Sequence, residues 1–447
     1  MSEQLKNAGM SEAAAAAKSA LFSRAEVALR KLGADVNQQT LAYFVPGRIE
    51  VLGKHTDYAG GRSLLCALER GFCLMAVPRK DSIIRLLDVG GDLSVEFHFD
   101  PELEVASGEW TAYPKIVARR IARNFPGAER GADIAFASDL PPAAGLASSS
   151  AFIVSVFLAL SEINRLHARR EYFVNICNDT ELAGYLACIE NGQNFGLLAG
   201  DCGVGTQGGS EDHTAILCCQ PGELSLCSFL PVRCERTVAL PDEFQFALAV
   251  SGIAAEKTGA AAEAYNRASR AARAVLDLWN AATKRSDISL AAAIASSPAS
   301  REKMRGILLG SAHPDFSANM LWNRFEHVFG ESATIIPGVV NALERRDWPQ
   351  VGAQVAQSQV NAEYLLGNQI PETIALAHAA RELGAVAASS FGAGFGGSVW
   401  ALVRTQETDA FLSRWEARYR DEFPSAAQRA QFFASRPGPA AMRLDLS

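Results

Sequence analysis

Residues 139–160 read DLPPAAGLASSSAFIVSVFLAL. Pro141 and Pro142 end any strand that precedes them, and Gly145 lets the backbone turn tightly and approach a ligand. An apolar helix starts at the serines that follow. Ser148, Ser149 and Ser150 stand where its first unpaired N–H groups point outward, at the positive end of the helix dipole. Those donors form an anion site. Hydroxyls at that place can also ligate a magnesium ion carried by nucleotide phosphates. An ordinary serine-capped helix carries the same residue types, so the surrounding sequence has to decide.

Around this stretch the chain alternates between strands and helices. The leading segment MSEQLKNAGMSEAAAAAKSALFSRAEVALRKL reads as a helix with a loose leading tail, and LAYFVPGRIEVLG as a strand that breaks at Gly53. Further β segments follow in LLCALERGFCLMAVPRK, IIRLLDV and SVEFHF, then the helix WTAYPKIVARRIARNF and the strand ADIAFAS. Helices are expected at 150–166, 169–177 and 178–191, and TAILCC reads as an apolar strand after the glycine-rich loop 200–210. Beyond Pro231, FQFALAVSG is a strand. Alanine-rich helices are expected from about 259 to 283, with others at 288–310, 318–330, 338–346 and 348–366. PETIALAHAARELGA is one more helix before the glycine-rich SSFGAGFGGSVWALV. The class is α+β, with a strand-rich first half, a helix-rich second half and a lobe boundary between 220 and 240. We place the lobes at 1–230 and 231–447.

At 447 residues, 49% apolar and 20% charged, the chain is an ordinary globular composition. A net charge of −7 argues against nucleic acid as a main partner. The nine cysteines are odd in number and lack CxxC spacing, which fits free thiols in a reducing cytoplasm. Cys218 and Cys219 read as part of the buried TAILCC strand. The seven histidines form no HExxH cluster, so no zinc site is expected. The apolar stretch Ala151–Leu160, interrupted only by Ser155, is too short to cross a bilayer, and no membrane partner is expected.

Three glycine-rich elements occur in a fixed order: PGRIEVLGKHTDYAGG at 46–61, the serine loop at 139–151, and SSFGAGFGGS at 389–398. A single such string is weak; three together resemble the GHMP kinases, the galactokinase branch in particular. Gly47-Arg48 with Gly53, His55, Thr56, Asp57 and Tyr58 is similar to the signature GRxNxxGEHTDY. LPPAAGLASSSA is similar to the PxGxGLSSSA loop, and FGAGFGGS to GAGFGGC. Weaker likenesses lie in WTAYPK at 110–115, in SGIAAEKTGAAAEAYNR at 251–267 and in FFASRPGPAA at 432–441. The resemblance covers roughly residues 40–443.

It implies a two-lobed kinase fold with nucleotide between the lobes, and transfer of the ATP γ-phosphoryl group to a sugar hydroxyl. That chemistry rests on positioning and charge neutralisation, with Mg2+ bridging phosphate oxygens. By motif position the resemblance assigns Ala144, Gly145, Leu146, Ala147, Ser148, Ser149 and Ser150 to the phosphates. Ser149 and Glu190 fall to magnesium, Arg48 lies beside the reacting hydroxyl, and His55, Asp57 and Tyr265 face the sugar.

Two departures bear on function. Where galactokinases carry the aspartate of GIMDQ, the matching stretch CGVGTQGGSEDHTAIL has Thr206, whose hydroxyl cannot accept a proton as a carboxylate does. Glu211 and Asp212 follow closely, and Gly208-Gly209 can re-route the loop; Asp212 is the expected base. If neither reaches, proton loss is late and unassisted. Lys54 stands where the signature has glutamate, and Glu50 where it has asparagine. Either the two form a local charge swap, or Lys54 reads a substrate carboxylate. The expected activity is a cytoplasmic sugar kinase acting at the anomeric hydroxyl of galactose or a related sugar. The alternatives are a uronic-acid or modified-sugar kinase, and a weakly catalytic sugar and ATP sensor with a protein partner.

Overall fold

The computed structural model describes residues 1–37, 39–106, 108–255 and 259–446. Residues 256–258, inside the 251–267 stretch, lie outside the described residues. Seven strands of the first sheet come in sequence: β1 (Leu41–Leu52), β2 (Arg62–Pro78), β3 (Ile83–Asp88), β4 (Leu93–His98), β5 (Ala132–Ser138), β6 (Glu223–Ser228) and β7 (Arg233–Ala239). A second, four-stranded sheet is made of β8 (Phe244–Val250), β9 (Ala387–Phe391), β10 (Ser398–Arg404) and β11 (Gln431–Ser435), in the order β11-β8-β10-β9. The last strand, β12 (Met442–Leu444), returns to the first sheet and gives it the order β12-β1-β2-β5-β3-β4, with β6 on the far end of β2 and β7 on β6. All pairings are antiparallel except β3 with β5.

The period-two alternation of the central strands explains why helices cover both faces. Ala42, Phe44, Cys73, Met75 and Ala135 pack with Ala15, Phe22, Ala25 and Leu29 of the helix Glu12–Lys31. Their neighbours Tyr43, Val45, Phe72, Leu74 and Phe136 turn the other way, into the main core with the helix Ser148–Ile163. That helix is apolar on nearly all sides because strands and helices surround it. The second sheet adds Phe246, Leu248, Trp400 and Leu402 to the same core, and Trp400 Nε1 donates to the Val51 carbonyl at 3.2 Å. The two sheets are therefore tied at the strand that carries the first glycine motif. Four helices between Gly259 and Phe329 build a separate apolar cluster around Trp279 and Phe325.

Several expectations need correction. TAILCC is not a strand: Glu211–Cys218 is a helix, with Cys219 buried just after it. A short apolar run has the same composition in either state, and here the polar first turn decides. The helix expected at 169–177 shortens to Arg170–Phe173, and 288–310 breaks into Leu290–Ala295 and Ser300–Leu309. The stretch expected at 348–366 is α-helical over Trp348–Asn361 and closes with a π turn over Ala362–Leu366. The position 230/231 falls in the turn of the β6–β7 hairpin, which pairs through β6 with β2.

Candidate active site

Backbone geometry first sets the serine loop. Ala143, Gly145 and Ala147 hold left-handed φ values of 50°, 74° and 61°, so the chain turns repeatedly before the helix begins. Five successive carbonyls are held by protein donors: Ala143 by Ala255 N, Ala144 by Ser398 Oγ, Gly145 by the Arg48 guanidinium, Leu146 by Arg48 N and Ala147 by Ala151 N. At the loop's start, the buried Lys18 ammonium pairs with Asp139, whose other oxygen accepts from Gly71 N at 2.8 Å. The first-turn N–H groups of Ser148, Ser149 and Ser150 have no acceptor inside the helix. The third glycine element closes over this loop: a Cβ on Gly392 would lie 2.9 Å from the Gly145 carbonyl oxygen. All three glycine-rich elements thus meet at one place.

They border a cavity of about 770 Å³. Arg48 reaches it because β1 carries a register shift between Pro46 and Arg48 and another between Glu50 and Leu52, irregularities that re-aim strand side chains. Arg48 is 4% exposed. Its Nη2 lies 2.7 Å from Asp212 Oδ1, its Nε 2.9 Å from the same oxygen, and Glu211 Oε1 is 3.8 Å away. Asp212 and Glu211 sit in the first turn of the helix Glu211–Cys218, where its dipole favours carboxylates. The loop before it bends inward because Gly208 and Gly209 lack side chains: a Cβ on Gly209 would lie 2.4 Å from Asp57 Oδ2, and one on Gly208 2.8 Å from the Tyr265 hydroxyl. Thr206 also lines the cavity, with its hydroxyl donating to Asn191 Oδ1 at 3.2 Å.

Two buried carboxyls lie behind Arg48. Glu50 accepts from Gly392 N at 3.1 Å and Glu211 from Ser63 Oγ at 2.7 Å. Burial pushes Glu50 up to about 7, against the pull of Lys54 and Arg48. Burial and the neighbouring Glu50 and Asp57 carboxylates push Glu211 well above the usual range. Both carboxyls are thereby shifted toward the protonated form.

At the helix start, Ser150 Oγ is 2.8 Å from Glu190 Oε2 and 3.3 Å from Asp212 Oδ2, and Ser149 Oγ is 3.4 Å from Glu190 Oε1. A single hydroxyl proton cannot serve both carboxylates, and this set of hard oxygens suits Mg2+. Among the described residues no group of three or more His, Cys, Asp or Glu side chains is arranged to hold a metal. His213 Nε2 lies 3.4 Å from Glu190 Oε2.

On the opposite wall, Arg324 donates to the Tyr58 hydroxyl at 3.1 Å, and Tyr58 is 2.8 Å from His55 Nδ1. His55 Nε2 is 2.9 Å from the Ala393 carbonyl, which only accepts, so Nε2 carries the proton and Tyr58 donates to Nδ1. Burial, then Arg324, lowers His55 to about 3, so the ring is neutral. Tyr265 packs on it with ring centroids 4.9 Å apart. Lys54 stands apart from the other expected site residues. It is 1% exposed, is not among the residues that line the cavity, and donates to Ser389 Oγ at 2.9 Å, with the Glu50 and Glu331 carboxylates as charge neighbours.

Sequence reading missed an aromatic wall. Phe136 and Phe152 lie 4.7 Å apart between centroids, Phe72 stacks on Phe152 at 5.5 Å, and Trp110 is 6.2 Å from Phe152. Trp110 was visible in the WTAYPK element; the phenylalanines looked like ordinary strand and helix core.

Comparison with known proteins bears on the family and the fold. Residues 33–78 match the galactokinase galactose-binding signature, 112–190 the GHMP kinases N terminal domain, and 339–421 the GHMP kinases C terminal domain. A galactokinase of Roseiflexus sp. (strain RS-1) is 27% identical over 387 residues, 84% of this chain and 86% of that protein. A galactokinase of Glaesserella parasuis serovar 5 (strain SH0165) is 35% identical over a shorter 120 residues, 27% of this chain and 31% of that one. Among solved structures, Lactococcus lactis galactokinase complexed with galactose superposes with a TM-score of 0.77 at 20% identity, covering 94% of this chain and 99% of the other. A D-glycero-D-manno-heptose 1-phosphate kinase from Bacteroides thetaiotaomicron gives 0.55 at 14% identity, covering 91% and 99%.

Proposed function

This chain belongs to the GHMP kinases, on their galactokinase-like branch, and from that premise we propose that it transfers the γ-phosphoryl group of ATP to the anomeric hydroxyl of galactose or a close neutral relative. The observation that carries this reading is the Arg48–Asp212 contact at the mouth of the serine loop, in the same cavity as Glu190. Asp212 accepts the proton of the sugar hydroxyl as its oxygen bonds to phosphorus. Arg48 fixes the orientation of that carboxylate and places positive charge where the transferring group passes. N–H groups between Gly145 and Ser150 hold the phosphates, and the aromatic wall at Trp110 and Phe152 offers a flat apolar surface for the base.

Ser149 and Glu190 would hold Mg2+, which when bound neutralises phosphate charge. His55, Asp57 and Tyr265 face the sugar, with His55 held as a neutral acceptor and donor by its two fixed partners. The lobes of this kinase are read as 1–230 and 231–447. Against a uronic acid stand the acidic lining of Glu50, Asp57, Glu211 and Asp212 and the withdrawal of Lys54 behind the wall. Against a non-catalytic sensor stands a carboxylate beside Arg48.

The test is ADP release across galactose, galactosamine, N-acetylgalactosamine, glucose and galacturonate, with and without Mg2+, and phosphorus NMR of the product. An anomeric phosphate on galactose is expected. Turnover confined to galacturonate, or none on any sugar, would overturn the reading.

A further inference from the structure

The far end of the helix Glu211–Cys218 abuts a group of thiols that the kinase reaction does not use. Cys227 and Cys234 are direct cross-strand partners in the β6–β7 hairpin, at the point where its register shifts after Leu226. Their sulfurs lie 3.4 Å apart without a bond between them. Cys227 is buried and Cys234 is exposed on β7. Cys218, the last residue of the helix, is a further hydrogen-bond partner of Cys234.

Thiol packing in a sheet is common, yet three features set this pair apart. Facing residues on adjacent antiparallel strands have the Cα separation that a disulfide needs. Cys234 is an exposed residue while its partner Cys227 is buried. Cys234 also has two thiol neighbours, Cys227 and Cys218. The two S–H neighbours favour the thiolate on Cys234 and hold the thiols of Cys218 and Cys227 protonated.

We propose that Cys234 is a peroxide-reactive modification site and that Cys227 resolves it into a disulfide within the hairpin. The Cys234 thiolate attacks one oxygen of hydrogen peroxide; the S–O bond forms as the O–O bond breaks, and hydroxide leaves to be protonated to water. Cys227 sulfur then attacks Cys234 sulfur, the S–S bond forms as the S–O bond breaks, and the Cys227 proton leaves with that oxygen as a second water. Two thiols and one hydrogen peroxide give one disulfide and two waters. A dithiol reductant reverses the step.

The full-length chain is treated with hydrogen peroxide, its remaining thiols are alkylated, and it is digested with trypsin. Trypsin cleaves after Arg233 but leaves 171–233, with six cysteines, as one peptide. A further cut after Glu223 with Glu-C protease isolates Cys227 in 224–233, and a link from that peptide to the one that begins at Cys234, two hydrogens lighter than its two parts, is diagnostic. The expected result is that linkage, lost again in dithiothreitol. The Cys234 thiol should disappear about tenfold faster than that of Cys202, which is a free, exposed cysteine. Cys234→Ser, at an exposed position, should fold and leave Cys227 fully alkylatable. Replacing Cys227 by Ser should let a cyclic 1,3-dione trap the sulfenic acid on Cys234. Oxidation of Cys202 or Cys177 ahead of Cys234, a linkage of Cys234 to Cys218 in place of Cys227, or no linkage at all would overturn the proposal.

Discussion

Arg48 and Asp212 meet at 2.7 Å across 164 residues of chain, and Thr206 turns its hydroxyl to Asn191. The carboxylate beside the serine loop therefore comes from the first turn of a helix, after a detour through Gly208 and Gly209. Asp212→Asn should lower kcat by about 10²–10⁴-fold, the usual span for a lost general base, with a smaller change in KM for sugar. Thr206→Ala should leave kcat nearly unchanged. Equal losses in the two variants would remove Asp212 from the role of base.

Glu190→Ala should raise the Mg2+ concentration for half-maximal activity and lower the rate at saturation, and Ser149→Ala should do the same more mildly. Each removes an oxygen from the place where phosphate charge is neutralised. Titration of Mn2+ into the nucleotide-bound protein, followed by electron paramagnetic resonance, reads the affinity directly. Unchanged cation affinity in Glu190→Ala would make that residue a helper of Ser150 alone.

Lys54 divides two accounts of substrate choice. Lys54→Met removes one of the two cations near Glu50 and the cation near Glu331, and leaves the buried Ser389 hydroxyl without its donor, a loss of about 1–3 kcal/mol. The ratio of kcat/KM for galactose and galacturonate should stay as in the parent. Exchanging both charges, Glu50→Lys with Lys54→Glu, should fail to restore stability, because Glu331 then faces a like charge. Collapse of galacturonate turnover in Lys54→Met, with galactose turnover kept, would revive a carboxylate-reading lysine.

Stability should carry a signature of Glu50. Its carboxyl is raised to about 7 from 4.5 by burial, so the folded state holds a proton that the unfolded state has released. Stability from this group is full below pH 4.5 and falls as pH rises toward 7, by at most roughly 1.4 kcal/mol per pH unit. His55, lowered to about 3, acts with the opposite sign between pH 3 and 6.5. Melting temperatures of the parent minus those of Glu50→Gln isolate the first effect. A difference that grows as pH rises from 5 to 7 would contradict it.

The fold and much of the site were legible because their signals are local. Prolines, glycines and serines at 139–150 dictate a turn into a helix wherever they occur, and two further glycine elements fix the class. TAILCC misled because an apolar run of that length reads the same as strand or helix. The detour to Asp212 was visible only as an option, since nothing local says that Gly209 must pass within reach of Asp57. Lys54 was ambiguous for a deeper reason: its hydrogen-bond partner Ser389 lies 335 residues away in sequence, and its orientation is decided by that partner.

The return of β12 to β1 has a consequence for how this chain is made. Ala42, Tyr43 and Phe44 pair with Leu444, Arg443 and Met442, so the outer edge of the first sheet stays open until residues about 400 positions further along the chain have been made. During that interval β1 presents unpaired backbone groups in a strand that is buried along its whole length in the finished protein, the kind of edge that recruits other strands. The nascent chain must be shielded there throughout that interval. Removing residues 442–444 should therefore show first as poor soluble yield, with much less effect on the turnover of the molecules that do fold.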